Sequence, residues 1–235
     1  MKNIFTKHNL YFITIFTILG FLALQVPVTQ LVGSKAKFTL FDAFGPIAGS
    51  FIGTIPGVIA VFLMQLFNFL VHGANVFDAG TIIRFFPSLF AVAYFSRKSK
   101  LGIIVPLLAI TAFVVNPIGR SVWYFSLYWL IPIACHALRD RFLIARALGA
   151  TFTAHAVGGA LWIWAFALPK AVWVSLIPVV AMERSLFTVG IMVAYVVCTN
   201  LLGYCMKAEI IRLPFHLEGK YLLPIARATH ALTTK

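Results

Sequence analysis

The sequence predicts an all-α, polytopic transmembrane helix bundle of about six to eight spans with both termini cytoplasmic. Three observations predict it. Of 235 residues, 61% are hydrophobic and only 11% are charged, with a mean hydropathy of +0.97, whereas soluble domains carry about 25% charged residues. The apolar residues come in a succession of long runs. The Lys and Arg residues gather at the ends of those runs, on alternating connections. No composition shift or long linker divides the chain, so it reads as one integral membrane domain, 1–235, with a basic leader (1–8), a helical bundle (9–206) and a cytoplasmic tail (207–235).

Taken in order, residues 10–26 form the first run, ended by Pro27. It follows Lys2 and Lys7 but lacks a small-residue cleavage site, so it reads as a retained helix rather than a signal peptide. Residues 27–38 are a polar connection, with Thr29, Gln30, Ser34, Lys35 and Lys37. Residues 40–53 are a short glycine-rich second span, and 57–71 are the third, carrying Gln65 and Asn68. The turn at 72–75 leads to a fourth span, 77–95, that contains Arg84 and Pro87. The fifth is 101–115, stopped by Asn116-Pro117, and the sixth is the aromatic stretch 122–137. Residues 147–168 make the seventh, with His155 at its middle. Residues 169–182 are apolar but contain Pro178 and are short, which reads as an interfacial or re-entrant piece; 184–206 make the eighth. The second and fifth runs are short enough to dip without crossing.

Parity orients the chain. With the amino terminus inside and about eight crossings, thirteen of the 19 Lys and Arg residues fall inside. Lys35, Lys37, Arg120 and Lys170 fall outside, which leaves Arg84 and Arg184 at membrane depth. The net charge of +13 therefore reads as the positive-inside rule of a plasma-membrane protein and gives no reason to expect a nucleic-acid partner. Cys135, Cys198 and Cys205 form no C-x-x-C pair and sit in apolar runs, against a disulfide framework or a zinc site. No cofactor or metal motif is present.

The stretch from Phe41 to Gly57 carries glycines at 45, 49, 53 and 57. Four-residue spacing on a straight helix places Gly45, Gly49, Gly53 and Gly57 on one face, a seam for close helix packing. Pro56 marks a tight turn between two helices.

Polar residues in apolar runs are the candidates for function. Arg84 is flanked by Ile82, Ile83, Phe85 and Phe86. Arginine at that depth costs about 3 kcal/mol or more and needs a partner. That partner is either a substrate anion or an acid, Asp42 fitting better than Asp78. His155 lies beside a small-residue face made by Ala150, Ala154 and Gly158. It can bond a ligand, relay protons or hydrogen-bond a neighbouring helix. Glu183 opens the last span and either complements its dipole or, with Arg184, lines an outer pocket. Asn75 and Asn116 sit in turns on the same outward side, and Trp123, Tyr124, Trp162, Trp164 and Trp173 lie near that level, as an aromatic belt or as pocket walls. The candidate substrate-binding set is Asp42, Arg84, Asn75, Asn116, His155 and Glu183. No Walker A, G-x-S-x-G or H-E-x-x-H motif is present, so no catalytic residue is assigned.

The run Phe38-Thr39-Leu40-Phe41-Asp42-Ala43-Phe44-Gly45-Pro46-Ile47-Ala48-Gly49-Ser50-Phe51-Ile52-Gly53 resembles the second helix of substrate-binding S components of energy-coupling factor (ECF) transporters. The likeness covers about the first hundred residues best. It implies a subunit that captures a vitamin or cofactor precursor under a lid formed by the first loop. It further implies docking on a transmembrane coupling protein driven by two ATPases. The first span here reads Leu19-Gly20-Phe21-Leu22-Ala23-Leu24, without the A-x-x-x-A of that family's docking helix. The first reading is thus a membrane-embedded small-molecule-binding subunit of an importer, with a small-molecule substrate and membrane lipid as partners. The alternatives are an intramembrane enzyme acting on a lipid or lipid-linked substrate, with His155, Arg84 and Asp42 converging, and a structural membrane protein whose polar residues satisfy one another.

Overall fold

The computed structural model describes residues 7–30, 37–73, 79–208 and 217–227. Helix α1 (Lys7–Leu24) is followed by a two-stranded antiparallel ribbon, β1 (Pro27–Gln30) and β2 (Lys37–Thr39). Thr29 pairs with Phe38, and Leu40 N donates to the Val26 carbonyl at 2.9 Å to close the ribbon's base. This ribbon is not legible in the sequence, because strands of three and four residues carry too little alternation to register.

The glycine-rich stretch is not one span. It breaks into α2 (Phe41–Phe44), a 3-10 turn (Gly45–Ile47) and α3 (Gly49–Ile52), then reverses at Gly53 into α4 (Thr54–Asn68). Gly53 has φ +96° and ψ 164°, a conformation essentially reserved for glycine. The four glycines therefore do not share a face. Gly53 makes the turn. Gly49 and Gly57 press backbone on backbone across it: a Cβ on Gly57 would lie 2.3 Å from Gly49 Cα. A Cβ on Gly45 would first meet the Phe41 ring, at 3.1 Å. The break comes at Gly53, ahead of Pro56, which lies inside the first turn of α4 where its missing N–H costs nothing.

A π turn (Phe69–Gly73) ends α4. Helices α5 (Ala79–Ile83) and α6 (Phe85–Ser96) form the expected fourth run, interrupted at Arg84. Pro87 explains the interruption, since it has no N–H to give to the Ile83 carbonyl. Then come α7 (Leu101–Val115), the short α8 (Pro117–Ser121), a 3-10 stretch (Trp123–Leu130) and α9 (Ile131–Leu138). Helix α10 (Leu143–Phe166) packs against α5, α6, α7, α9 and α11 (Lys170–Lys207). Its small residues permit this central position: a Cβ on Gly149 would strike the Tyr94 ring at 2.2 Å, and one on Gly159 would meet Trp129 at 2.6 Å.

Helix α11 corrects a second expectation. Residues 169–182 are neither re-entrant nor separate; they are the first third of one 38-residue helix that runs through Pro178. Proline removes a single bond from a long helix, and neighbours secure the turn around it. Tyr128 Oη donates to the Ile177 carbonyl at 2.9 Å, and the Trp173 ring packs on Phe113 and Phe125 with centroids 5.1 and 5.0 Å away. At 1.5 Å per residue the helix is about 57 Å long, well beyond a hydrocarbon core of about 30 Å. A left-handed Ala167 (φ 44°) and Pro169 turn the chain between α10 and α11.

Among the described residues three helical stretches are long and apolar enough to cross a membrane: Thr54–Val71, Ala79–Ser96 and Lys170–Lys207. The outward stripe of α11, including Met182, Leu186, Val189, Val193, Val197 and Leu201, is 49–65% exposed. Such a stripe is a liability in water and the natural surface in lipid. A 3-10 turn (Gly219–Tyr221) and α12 (Pro224–Arg227) fold back onto the bundle. Leu217, Leu222 and Ala226 are buried there, Asn200 bonds Tyr221 O and Leu223 N, and Glu218 accepts from Arg146 Nη1 at 2.5 Å and Tyr195 Oη at 2.9 Å.

Candidate functional site

A cavity of about 130 Å3 opens between the ribbon, the α2 N-terminus, the α5–α6 break, the 3-10 stretch before α9, and the facing halves of α10 and α11. Each wall follows from local structure. Register in the ribbon brings Phe38 to the cavity. The Pro87 break in the fourth run sets Arg84 between α5 and α6. On α10, His155, Gly158, Gly159 and Trp162 recur at helical spacing, as do Trp173, Leu176, Val180, Glu183 and Arg184 on α11.

Four of the six expected site residues meet here: Asp42, Arg84, His155 and Glu183. Arg84 Nη2 lies 3.5 Å from Asp42 Oδ2, the pairing favoured over Asp78, and the same oxygen accepts from Thr39 N at 2.8 Å. Glu183 Oε1 accepts from the Thr29 hydroxyl at 2.6 Å, so the ribbon is tied to α11. Trp129 Nε1 donates to His155 Nδ1 at 3.0 Å. An indole N–H only donates, so Nδ1 must be the acceptor nitrogen, and His155 carries its proton on Nε2.

Two expected residues are not in this set. Asn116 is a helix cap: its Oδ1 accepts from Ile118 N at 2.9 Å and Gly119 N at 3.4 Å and starts α8. Asn75 lies outside the described residues, as do Asp78 and the 1–6 part of the basic leader. The uncharged polar residues of other spans also have structural partners. Gln65 Nε2 donates to Ser88 Oγ at 2.8 Å, and Asn68 Oδ1 accepts from Gln25.

Arg184 is the residue that the candidate list lacked. Its side chain is 3% exposed. Nη1 reaches the Thr151 hydroxyl at 3.4 Å, while Nη2 stands 3.7 Å from Glu183 Oε2, beyond hydrogen-bond range. Both Nε and Nη2 of Arg184 are buried without a hydrogen-bond acceptor, and so is Nη1 of Arg84. The two guanidinium groups share one aromatic ring: Arg84 Cζ is 5.7 Å and Arg184 Cζ 4.6 Å from the Phe38 centroid. The signals for Arg184 are its place at membrane depth in the charge count and its position beside Glu183 at the outer pocket.

The tryptophans divide. Trp123 and Trp164 are 55% and 56% exposed, as in an interfacial belt, whereas Trp162 and Trp173 are 8% and 2% exposed and line the cavity. With Phe125, Leu176 and Val180 they make most of its wall apolar. Among the described residues no three of His, Cys, Asp and Glu gather closely enough to hold a metal ion. Chemically, the cavity sets aromatic and aliphatic walls beside two arginines, Arg84 and Arg184, and two acids, Asp42 and Glu183.

Comparison with known proteins gives little beyond this geometry. No family model matches the chain, and no solved structure matches it. The chain is similar to an uncharacterized protein, MJ0923, of Methanocaldococcus jannaschii, 25% identical over 191 residues that cover 72% of this chain and 64% of that protein.

Proposed function

We propose that the chain is a membrane-embedded small-molecule-binding subunit of an importer, similar in role to the S component of an ECF transporter. About six to eight spans, both termini cytoplasmic in the plasma membrane, and an outward-facing cavity complete the reading. One observation carries it. Arg84 and Arg184 both line the aromatic-walled cavity, and three of their guanidinium nitrogens, Nη1 of Arg84 with Nε and Nη2 of Arg184, are buried without a hydrogen-bond acceptor. Each unmade bond to a charged donor costs about 1–3 kcal/mol, and a ligand acceptor in the cavity recovers that cost. A purely structural role accounts for the Arg84–Asp42 and Arg184–Glu183 ion pairs but leaves Nε of Arg184 without an acceptor. The chain carries no nucleotide-binding motif, so uptake energy would come from a coupling protein with two ATPases or from a gradient.

The test is mass spectrometry of small molecules that co-purify with the detergent-extracted protein, run beside Arg84→Ala. A vitamin-like compound present in the wild type and lost in the variant supports the reading. Lipid alone, unchanged by the substitution, refutes it.

A further inference from the structure

We infer, resting on the binding reading above, that the ligand of this cavity is a monocarboxylate with a ring-sized apolar body, its carboxylate docked on Arg184. The argument starts from which atoms are unsatisfied. Nε and Nη2 are the two N–H groups on one edge of the guanidinium plane, and they are the two that lack an acceptor. That edge is the fork that a carboxylate meets with two parallel hydrogen bonds. The other ways of satisfying Arg184 are already taken. Nη1 is turned to Thr151, the rings of Phe38 and Phe187 stand 4.6 and 4.9 Å from Cζ, and Glu183, whose Oε1 is held by Thr29, brings its Oε2 no nearer than 3.7 Å to Nη2.

The neighbours select among oxyanions and against neutral ligands. Asp42 and Glu183 already offset the two arginines in formal charge. A carboxylate adds one negative charge to that balance, and a phosphate dianion would add nearly two beside the same two acids. A neutral amide offers one oxygen and leaves part of the fork unpaired. Arg84, whose guanidinium also stands over the Phe38 ring, puts a second cation at the same end. Away from the arginines the wall is Phe125, Trp162, Trp173, Leu176 and Val180. The volume of about 130 Å3 is close to that of an engineered apolar cavity of about 150 Å3 that holds benzene. A benzene-sized body with one carboxylate therefore matches both ends.

Two sources share this chemistry, a free small acid and a lipid-derived fatty acid. The full chain in lipid nanodiscs is titrated with benzoate, its uncharged analogue benzamide, and octanoate, followed by tryptophan fluorescence from Trp162 and Trp173. Benzoate is expected to saturate with at least tenfold higher affinity than benzamide. Arg184→Lys, which keeps the charge and loses the fork, should remove most of that preference, and Arg184→Met all of it. The benzoate–benzamide comparison uses the wild type, so it stands even if a variant fails to fold. Octanoate binding more tightly than benzoate, with the same dependence on Arg184, keeps the carboxylate and assigns it to a lipid source. Benzamide binding as well as benzoate overturns the carboxylate and leaves the cavity a binding site. Response to none of the three overturns the carboxylate as well, and co-purification then decides the binding reading separately.

Discussion

Replacing each glycine of the 45–57 stretch by alanine separates a broken hairpin from a straight packing face. On a straight face the four substitutions would be comparable. In the structure they are not. At Gly57 the added methyl lies 2.3 Å from Gly49 Cα and 2.5 Å from Gly49 N, and backbone cannot rotate away as a side chain can. Overpacking of this kind costs about 1–3 kcal/mol, and the upper end applies because both clashing atoms are main chain. At Gly53 there is open space, the nearest atom being Pro56 Cδ at 4.0 Å, but φ is +96°, so the cost is conformational, about 1–3 kcal/mol. At Gly45 the nearest atoms belong to the Phe41 ring, 3.1 Å away, which can shift by a few tenths of an ångström, and the cost should stay below about 1 kcal/mol. The three free cysteines make the assay: Cys135 is buried, Cys198 and Cys205 partly so, and a thiol-reactive fluorophore reports their exposure on heating. For a chain of this size 1 kcal/mol moves Tm by about 2–4 °C. Gly57→Ala should therefore lower Tm by about 6–12 °C and Gly45→Ala by no more than about 4 °C. Equal shifts at 45 and 57 would refute the hairpin and restore the straight seam.

Three further outcomes are expected. Asn116→Ala should lower stability by about 1 kcal/mol through the lost cap of α8 while leaving ligand co-purification unchanged; loss of the ligand would return Asn116 to the binding set. Trp129→Phe strands the Nδ1 acceptor of His155 and should cost about 1–3 kcal/mol by thermal unfolding, whereas an unchanged Tm would remove the assigned tautomer's only support. Burial works to raise the Glu218 carboxyl, but Arg146, its hydrogen bonds from Arg146 and Tyr195, and Lys220 outweigh it and hold the group below its ordinary value of 4.5. A carboxylate lowered on folding contributes stability that is full above the unfolded value and is lost as pH falls through the folded one. The docked 217–227 segment should thus loosen below about pH 4.5 in the wild type, and the acid limb of the Tm–pH curve should flatten in Glu218→Gln.

How much of this was legible in the sequence depends on what each residue had to decide. Arg84 needed an acid, and with six acids in the chain helical phase set Asp78 on the far side of Arg84's own helix and left Asp42 the better candidate. His155 could be placed at a tight interface because glycines and alanines repeat around it, although its partner Trp129 sits on a 3-10 stretch that periodicity does not reveal. The glycine stretch was ambiguous in principle: a four-residue repeat is the same string whether the helix continues or doubles back, and only the φ of Gly53 separates the two. Pro178 erred in the opposite direction. A proline reads as a break, yet one missing bond among 38 residues is tolerated where Tyr128 and the Trp173 cluster hold the neighbouring turns.

Arg184 shows where sequence reasoning stops for a physical reason. Adjacent opposite charges look self-satisfied, but consecutive residues on a helix point about 100° apart. Glu183 turns to Thr29 on the ribbon and Arg184 turns inward to Thr151, so the pair remains 3.7 Å apart. An acid one residue away is therefore a poor partner for an arginine on a helix, whereas an acid four residues away is a good one. Position 188, four residues on, is Thr188, whose hydroxyl bonds back to the Arg184 carbonyl at 2.7 Å, and position 180 is Val180, part of the cavity wall. On its own helix Arg184 has no acid in reach at the favourable spacing. Around this buried cation stand Glu183 Oε2 at 3.7 Å, the Thr151 hydroxyl and the rings of Phe38 and Phe187, with no acceptor for Nε, and that shortfall is what the proposed ligand would meet.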